Sequence, residues 1–154
     1  MFTIKPIGYV KSSRKEVTDD EWGNITAEIE LTDEFTGESL QGIEDFSHAE
    51  IVFYFHLVQD GKVEYIARHP RNNPAWPKTG VFAQRGKNRP NRLGITIVQI
   101  IKKEGAKLIV KGLDAVDGTP VIDIKPAMKE LYPCGLIKQP EWADELMVNY
   151  WEKI

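Results

Sequence analysis

A chain of 154 residues, 42% apolar and 28% charged, has the length and composition of one soluble domain with a real core. No apolar tract approaches a membrane span, the opening MFTIKPIGYVKSS lacks the apolar centre of a secretory leader, and a single cysteine, Cys134, excludes an internal disulfide. These features lead us to expect a cytoplasmic protein. The net charge of −3 hides a segregation. Residues 16–61 hold thirteen acids and no lysine or arginine, whereas residues 65–103 hold nine lysines and arginines and no acid. Kept on separate surfaces, these segments would offer positive potential to an anionic partner; interleaved, they would cancel.

In chain order, residues 2–10 alternate apolar and polar side chains around Pro6, which predicts an edge or bulged strand, and residues 11–15 read as a polar loop. Trp22-Gly23-Asn24 turns the chain into ITAEIEL, a half-buried strand with Ile25, Ala27, Ile29 and Leu31 on one face. After a polar turn, residues 40–46 fit one helical turn. AEIVFYFHLV is apolar enough to predict a central strand, with VEYIARH, after Gly61, as its returning neighbour. RNNPAWPK is a proline-rich connector carrying Trp76. ITIVQII predicts a core strand, residues 102–105 a turn, KLIVKGLDAV its hairpin partner and TPVIDIKP a further short strand after the Asp117-Gly118 turn. The one convincing helix starts at Pro140 and spans residues 140–153. Trp142, Leu146 and Tyr150 line up beside Ala143, Met147 and Trp151. Many short strands and one packing helix predict a mainly β barrel or twisted sheet, and no GxGxxG or regular β–α alternation supports a Rossmann fold.

Between ARH and ITIVQII lies GVFAQRGKNRPNRLG, residues 80–94, whose glycines, Pro90-Asn91 and four cations make a poor strand and a poor helix. A stiff basic loop fed into a buried strand is suited to holding a ligand. Two polar clusters accompany it, Arg68-His69-Pro70-Arg71 and GLDAVDGTPVIDIKP. In the latter, Asp123 and Lys125 are two apart in a strand and share a face, so they need each other or a polar ligand. His48, His56, His69 and Cys134 lack metal-ligand spacing, and no metal is expected. Trp142 and Trp151 read as packing residues; Trp76, between prolines, could stack on a base.

GVFAQRGKNRPNRLG and GLDAVDGTPVIDIKP, with GIEDFSHAEIVFYFH and RHPR, resemble the TsaA-like family typified by the TrmO tRNA methyltransferases, from Ile7 to about Pro126. The resemblance implies a small TsaA-like β-barrel with short helices and a C-terminal helix, working as a homodimer with its methyl donor, S-adenosyl-L-methionine, near the subunit interface. It also implies methylation of the exocyclic nitrogen of threonylcarbamoyladenosine beside a tRNA anticodon. Carried over by position, Phe82, Arg85, Arg89, Pro90, Asn91, Asp117, Thr119, Asp123 and Lys125 fall to the cofactor. Asp114 and His69 are candidates for the base or hydrogen-bond acceptor, and Arg71, Trp76, Gln84, Lys87 and Arg92 for the acceptor side. The expected organisation is a single domain over residues 1–154, core about 4–130. Departures are Gln84 where tRNA-modifying members have a small hydroxyl residue, Arg92 where they have proline, an enlarged RNNPAWPK connector, and the helix where larger bacterial members carry a second domain.

Chemically, the cofactor needs a carboxylate, a cation for its amino-acid end and a flat surface for adenine. Asp123, Arg85 or Arg89, and Asn91 can supply contacts of these kinds. Three readings remain: a tRNA methyltransferase, a methyltransferase with a small-molecule acceptor, and a cofactor-binding protein without turnover. The first predicts steeply salt-dependent tRNA binding; the second, cofactor binding without tRNA affinity; the third, binding without methyl transfer to any acceptor.

Overall fold

The computed structural model describes residues 1–151. Six strands close into an antiparallel barrel in the order β1-β2-β7-β6-β3-β8, where β1 is Gly8–Ser12, β2 Thr26–Leu31, β3 His48–Tyr54, β6 Leu93–Glu104, β7 Lys107–Lys111 and β8 Pro120–Pro126. A separate two-stranded piece pairs β4, Ala67–Arg68, with β5, Thr79–Gly80. The helix α1 covers Glu141–Met147.

Inward alternation builds the core. Val10 from β1, Ala27, Ile29 and Leu31 from β2, Ala49, Ile51 and Phe53 from β3, Val98 from β6 and Leu108 and Val110 from β7 are all buried in one cluster. Strand β6 is long enough to serve two neighbours. Its first half pairs with β3 (Tyr54 opposite Leu93 through His48 opposite Gln99), and its second half pairs with β7 from Gln99 opposite Lys111 to Glu104 opposite Lys107, with a bulge between Ile100 and Lys102. Such a bulge bends a strand, which is how a flat ladder turns a barrel corner. The closing seam is short: β1 meets β8 only at Gly8–Val121 and Tyr9–Pro120. Two glycines fit the barrel sterically. A Cβ on Gly8 would lie 2.6 Å from the Glu30 carbonyl oxygen, and one on Gly94 2.6 Å from the Phe53 ring and 2.9 Å from that of Phe55.

The barrel, the central β3 and a strand through ITIVQII match the expectation, but that strand is not buried on both faces: Thr96 and Val98 point inward while Ile95, Ile97 and Ile101 are exposed. Several boundaries do not match. The N-terminal strand begins at Gly8 rather than residue 2 and runs through Lys11 and Ser12, leaving Phe2 and Ile4 exposed; Pro6 cannot donate to a ladder. VEYIARH does not return beside β3, because both edges of β3 are taken by β6 and β8; only Ala67–Arg68 pairs, with β5. Residues 102–104 continue β6, and the turn falls at Gly105, at φ 58. KLIVKGLDAV pairs only to Lys111 and then passes Gly112, at φ 87. The helix spans seven residues and none of them is fully buried; residues 152–153 of the expected helix lie outside the described residues.

Candidate functional site

Side chains donating to backbone carbonyls shape the basic loop. After Gly80, Val81–Ala83 makes one 3-10 turn and Pro90–Arg92 another. The Gln84 amide donates to the carbonyls of Arg68 and Thr79, both at 2.9 Å, clipping the loop to β4 and β5. Arg89 donates to the Gln84 carbonyl at 2.7 Å and to that of Gly86 at 3.4 Å, so its guanidinium spans the loop. Arg92 donates to the Val58 carbonyl at 2.6 Å, pairs with Asp60 and lies 5.5 Å from the Tyr54 ring centre. Arg85 donates to the Ile95 carbonyl at 2.7 Å. Asn91 and Arg92, like Arg71 and Asn72 in the connector, have positive φ. That conformation is costly for residues with a Cβ, and it clusters where surrounding bonds over-determine the chain.

Charge segregation is partly undone by the fold. Arg71 reaches Asp20 with a two-pronged contact at 3.1 and 3.3 Å, and Arg92 reaches Asp60. Among the described residues Arg85, Lys87 and Arg89 have no carboxylate partner, so this loop keeps uncompensated positive charge. Phe82, in the same loop, is exposed.

Beside the loop lies a carboxylate held by hydroxyls. Asp114 is half-buried between buried Leu113 and Ala115. Thr96, buried on β6, donates to its Oδ1, and the Tyr150 phenol donates to its Oδ2. Burial and the negative Asp114 hold the Tyr150 phenol well above the ordinary tyrosine range, while the positive charges of Arg85 and Arg71 pull it back. His69 Nδ1 lies 2.6 Å from the Trp76 carbonyl oxygen. A carbonyl can only accept, so Nδ1 carries a proton, and Nε2 has no hydrogen-bond partner among the described residues. Trp76 is itself fixed, its indole N–H donating to Glu145 on α1 at 2.8 Å.

Asp123 and Lys125 satisfy each other at 3.0 Å on the outer face of β8, and the Ile124 N–H donates to Asp123 at 2.9 Å. Strand register extends this face across the barrel. Asp123, Val52 and Ile95 form one row, and Lys125, Glu50 and Ile97 the next. The pair thus shares an outer surface with β6, whose Leu93, Ile95, Ile97 and Ile101 are exposed.

Asp117 and Thr119 sit in the turn before β8. Asp117 accepts from the Ser12 N–H at 2.9 Å and pairs with Lys15 at 3.0 Å, and these contacts lower its pKa below the usual aspartate value. Thr119 is buried and donates to the Val116 carbonyl at 2.7 Å, a bond that closes the turn. Gly118, at φ 81, passes close to His56, whose pKa burial lowers. Among the described residues no group of three or more His, Cys, Asp or Glu is placed to hold a metal, and no helix is long and apolar enough to cross a membrane.

The structure therefore joins Thr96, Asp114 and Tyr150 by hydrogen bonds and fixes Gln84, Arg85, Arg89 and Arg92 in the basic loop by bonds to carbonyls. It places Asp123 and Lys125 on the barrel's outer face, and Asp117 and Thr119 in a turn against β1. Thr96 and Tyr150 were not singled out as site residues from sequence. The available signals were a hydroxyl in an inward register of an apolar strand, and a tyrosine on a packing stripe whose O–H needs a partner when covered.

A closed antiparallel barrel carrying an arginine-rich loop and a hydroxyl-bound carboxylate defines a small barrel with a positively charged loop. The sequence profile of the tRNA-methyltransferase O N-terminal domain matches residues 18–131. The chain belongs to that family. It is 48% identical over 90 residues to a mouse tRNA (adenine(37)-N6)-methyltransferase, covering 57% of this chain and 20% of that protein. A probable S-adenosyl-L-methionine-binding protein of Methanothermobacter thermautotrophicus is 34% identical over 86% of this chain and 94% of its own length. The crystal structure of TrmO from Pseudomonas aeruginosa superposes with a TM-score of 0.72 at 28% identity, over 90% of this chain and 61% of that one. The chain thus spans a fifth of the mouse protein and less than two thirds of the solved one.

Proposed function

We propose that this chain is an S-adenosyl-L-methionine-dependent methyltransferase acting on a tRNA adenosine, with threonylcarbamoyladenosine beside the anticodon as the preferred acceptor. The observation that carries this reading is the uncompensated Arg85–Arg89 loop next to the hydroxyl-held Asp114, in a chain of this family. The residues present fit the cofactor. Guanidiniums without carboxylate partners can take its carboxylate, exposed Phe82 offers a flat surface, and Asn91 offers both donor and acceptor to an adenine edge. Asp123 can accept from its amino group or ribose; its exposed pair with Lys125 is worth about 0–1 kcal/mol, so a ligand displaces it at little cost. When bound, the cofactor supplies an electrophilic methyl group.

The chain's own work is positioning and proton handling. An amide-like nitrogen is a weak nucleophile, and a group that takes hydrogen-bond density from its N–H raises its reactivity. Asp114 has that role here, with the bare Nε2 of His69 as the second acceptor of the site. Arg71, Trp76 and Lys87 face the acceptor. A single domain over residues 1–154, working in the cytoplasm as a homodimer, completes the reading. The dimer is supported by the exposed Leu93, Ile95, Ile97 stripe running beside Asp123 and Lys125, an apolar face that a second copy would cover. Sedimentation should then give the mass of two chains.

A second reading, a small-molecule acceptor, is favoured by one observation. Gln84 and Arg92, which the resemblance directs to the acceptor, are spent on backbone carbonyls and Asp60. One experiment separates the readings: calorimetric titration with S-adenosyl-L-methionine, repeated with tRNA from a strain unable to methylate that adenosine. Binding with methyl incorporation supports the tRNA enzyme. Binding without incorporation moves the reading to a small acceptor or a non-catalytic binder, and no binding removes all three.

A further inference from the structure

The segment after residue 140 lies outside the region matched by the family profile, yet it reaches into the site. Residues 128–140 are exposed throughout. The chain beyond them is then tied down at several points. Carbonyls of Asn149, Tyr150 and Trp151 accept from the N–H groups of Glu21, Trp22 and Gly23 at 3.0, 2.8 and 2.5 Å. Glu145 accepts from Trp76. Tyr150 donates to Asp114. The backbone bonds set the depth of the segment, and the phenol ends on the half-buried carboxylate of Asp114.

Two hydroxyl donors on one carboxyl group have a chemical consequence. Thr96 gives its proton to one oxygen and Tyr150 to the other, an arrangement suited to the ionised form of Asp114. Each carboxylate oxygen has two lone-pair directions, so one remains on each. The carboxylate is thereby fixed in rotation with acceptor capacity left over, as a group that must meet an incoming N–H requires.

We propose that Tyr150 is a positioning residue of the methyl-transfer site, through which the C-terminal segment holds Asp114 in the orientation that receives the acceptor's N–H. The proposal rests on the reading of Asp114 given above and adds to it that the tail beyond the family domain is part of the site. Tyr150 touches neither methyl donor nor acceptor; it acts through Asp114, with Thr96 as its counterpart from the barrel.

The test uses the full chain and Tyr150→Phe, which keeps the ring and removes the donor. We expect kcat for methyl transfer to tRNA to fall about tenfold or more, the effect of losing one hydrogen bond to a charged group. Affinity for S-adenosyl-L-methionine and the melting temperature should stay near those of the parent. Thr96→Val should lower kcat in the same way from the other oxygen, and the double variant should lose less than the sum, because both act on one carboxylate. Proton NMR reads the contact without turnover: a slowly exchanging hydroxyl resonance, absent in Tyr150→Phe, should move in Asp114→Asn. Full kcat in Tyr150→Phe, a fall in kcat that only tracks weaker cofactor binding, or a hydroxyl signal indifferent to Asp114→Asn each overturn the proposal. A parent chain that transfers no methyl group removes instead the functional reading beneath it, a failure seen before any variant is made.

Discussion

The barrel wall and the loop at residues 80–93 are held by different kinds of bond. In the wall, β2 lies between β1 and β7 in unbroken register, and its inward Ala27, Ile29 and Leu31 fill the core. The backbone bonds to backbone there, and the side chains contribute volume. In the loop, Gln84, Arg85, Arg89 and Arg92 donate from their side chains to backbone carbonyls. The guanidiniums that give the loop its charge thus also hold the backbone that presents them. A substitution in the wall should therefore register as lost packing, whereas one in the loop should change shape and binding together.

Arg89→Ala is the sharpest test of that difference. It removes a fork that spans Gln84 to Gly86 and the charge proposed for the cofactor's carboxylate. Cofactor affinity should fall about a hundredfold, as for loss of one partner of a hydrogen-bonded charge pair, with little change in unfolding midpoint; Arg89→Lys should recover only part, since it restores charge without the fork. Unchanged affinity by calorimetry would take Arg89 out of the site. Asp114→Asn comes next. Methyl transfer should drop about a hundredfold with cofactor binding retained, and equal losses in both would show that Asp114 belongs to binding rather than to the acceptor step.

Gly94→Ala should do the opposite of both. Its Cβ would press into the rings of Phe53 and Phe55, which pack edge to face at 5.3 Å, so stability should fall by about 1–3 kcal/mol in urea melts. Cofactor affinity of the folded fraction should hold, although the glycine adjoins the loop. Asp117→Asn should have the smallest effect. The Ser12 N–H and then Lys15 lower the folded-state pKa of Asp117. Its contribution is therefore full above the ordinary aspartate value and is lost as pH falls through the lowered one. The parent should melt slightly above Asp117→Asn at neutral pH, and the gap should close in acid. A gap that persisted there would assign the effect to geometry and not to charge.

How much of this was legible in the sequence depends on the reach of each interaction. Alternation in ITAEIEL and the β-branched run ITIVQII made strands readable, because side-chain period in a strand is local. The Gly- and Pro-framed basic loop was legible as irregular for the same reason. VEYIARH carried a strand pattern too, yet which strands flank β3 is settled by competition for its two edges, and β6 and β8 occupy both. The helix was readable from its stripe, but it spans only seven residues and none of them is fully buried, because the stripe does not enter the core.

The sequence by itself determined most of the barrel strands, the irregular and basic character of residues 80–94, and through its motifs the family. Only the tertiary structure decided which charges remain uncompensated: Arg71 finds Asp20 and Arg92 finds Asp60, while Arg85 and Arg89 find carbonyls. It also decided that Thr96 and Tyr150, 54 positions apart in the numbering, meet on Asp114. Periodicity reports the face on which a side chain lies, but a hydrogen bond between distant segments depends on barrel closure and on where a long linker lets the tail land.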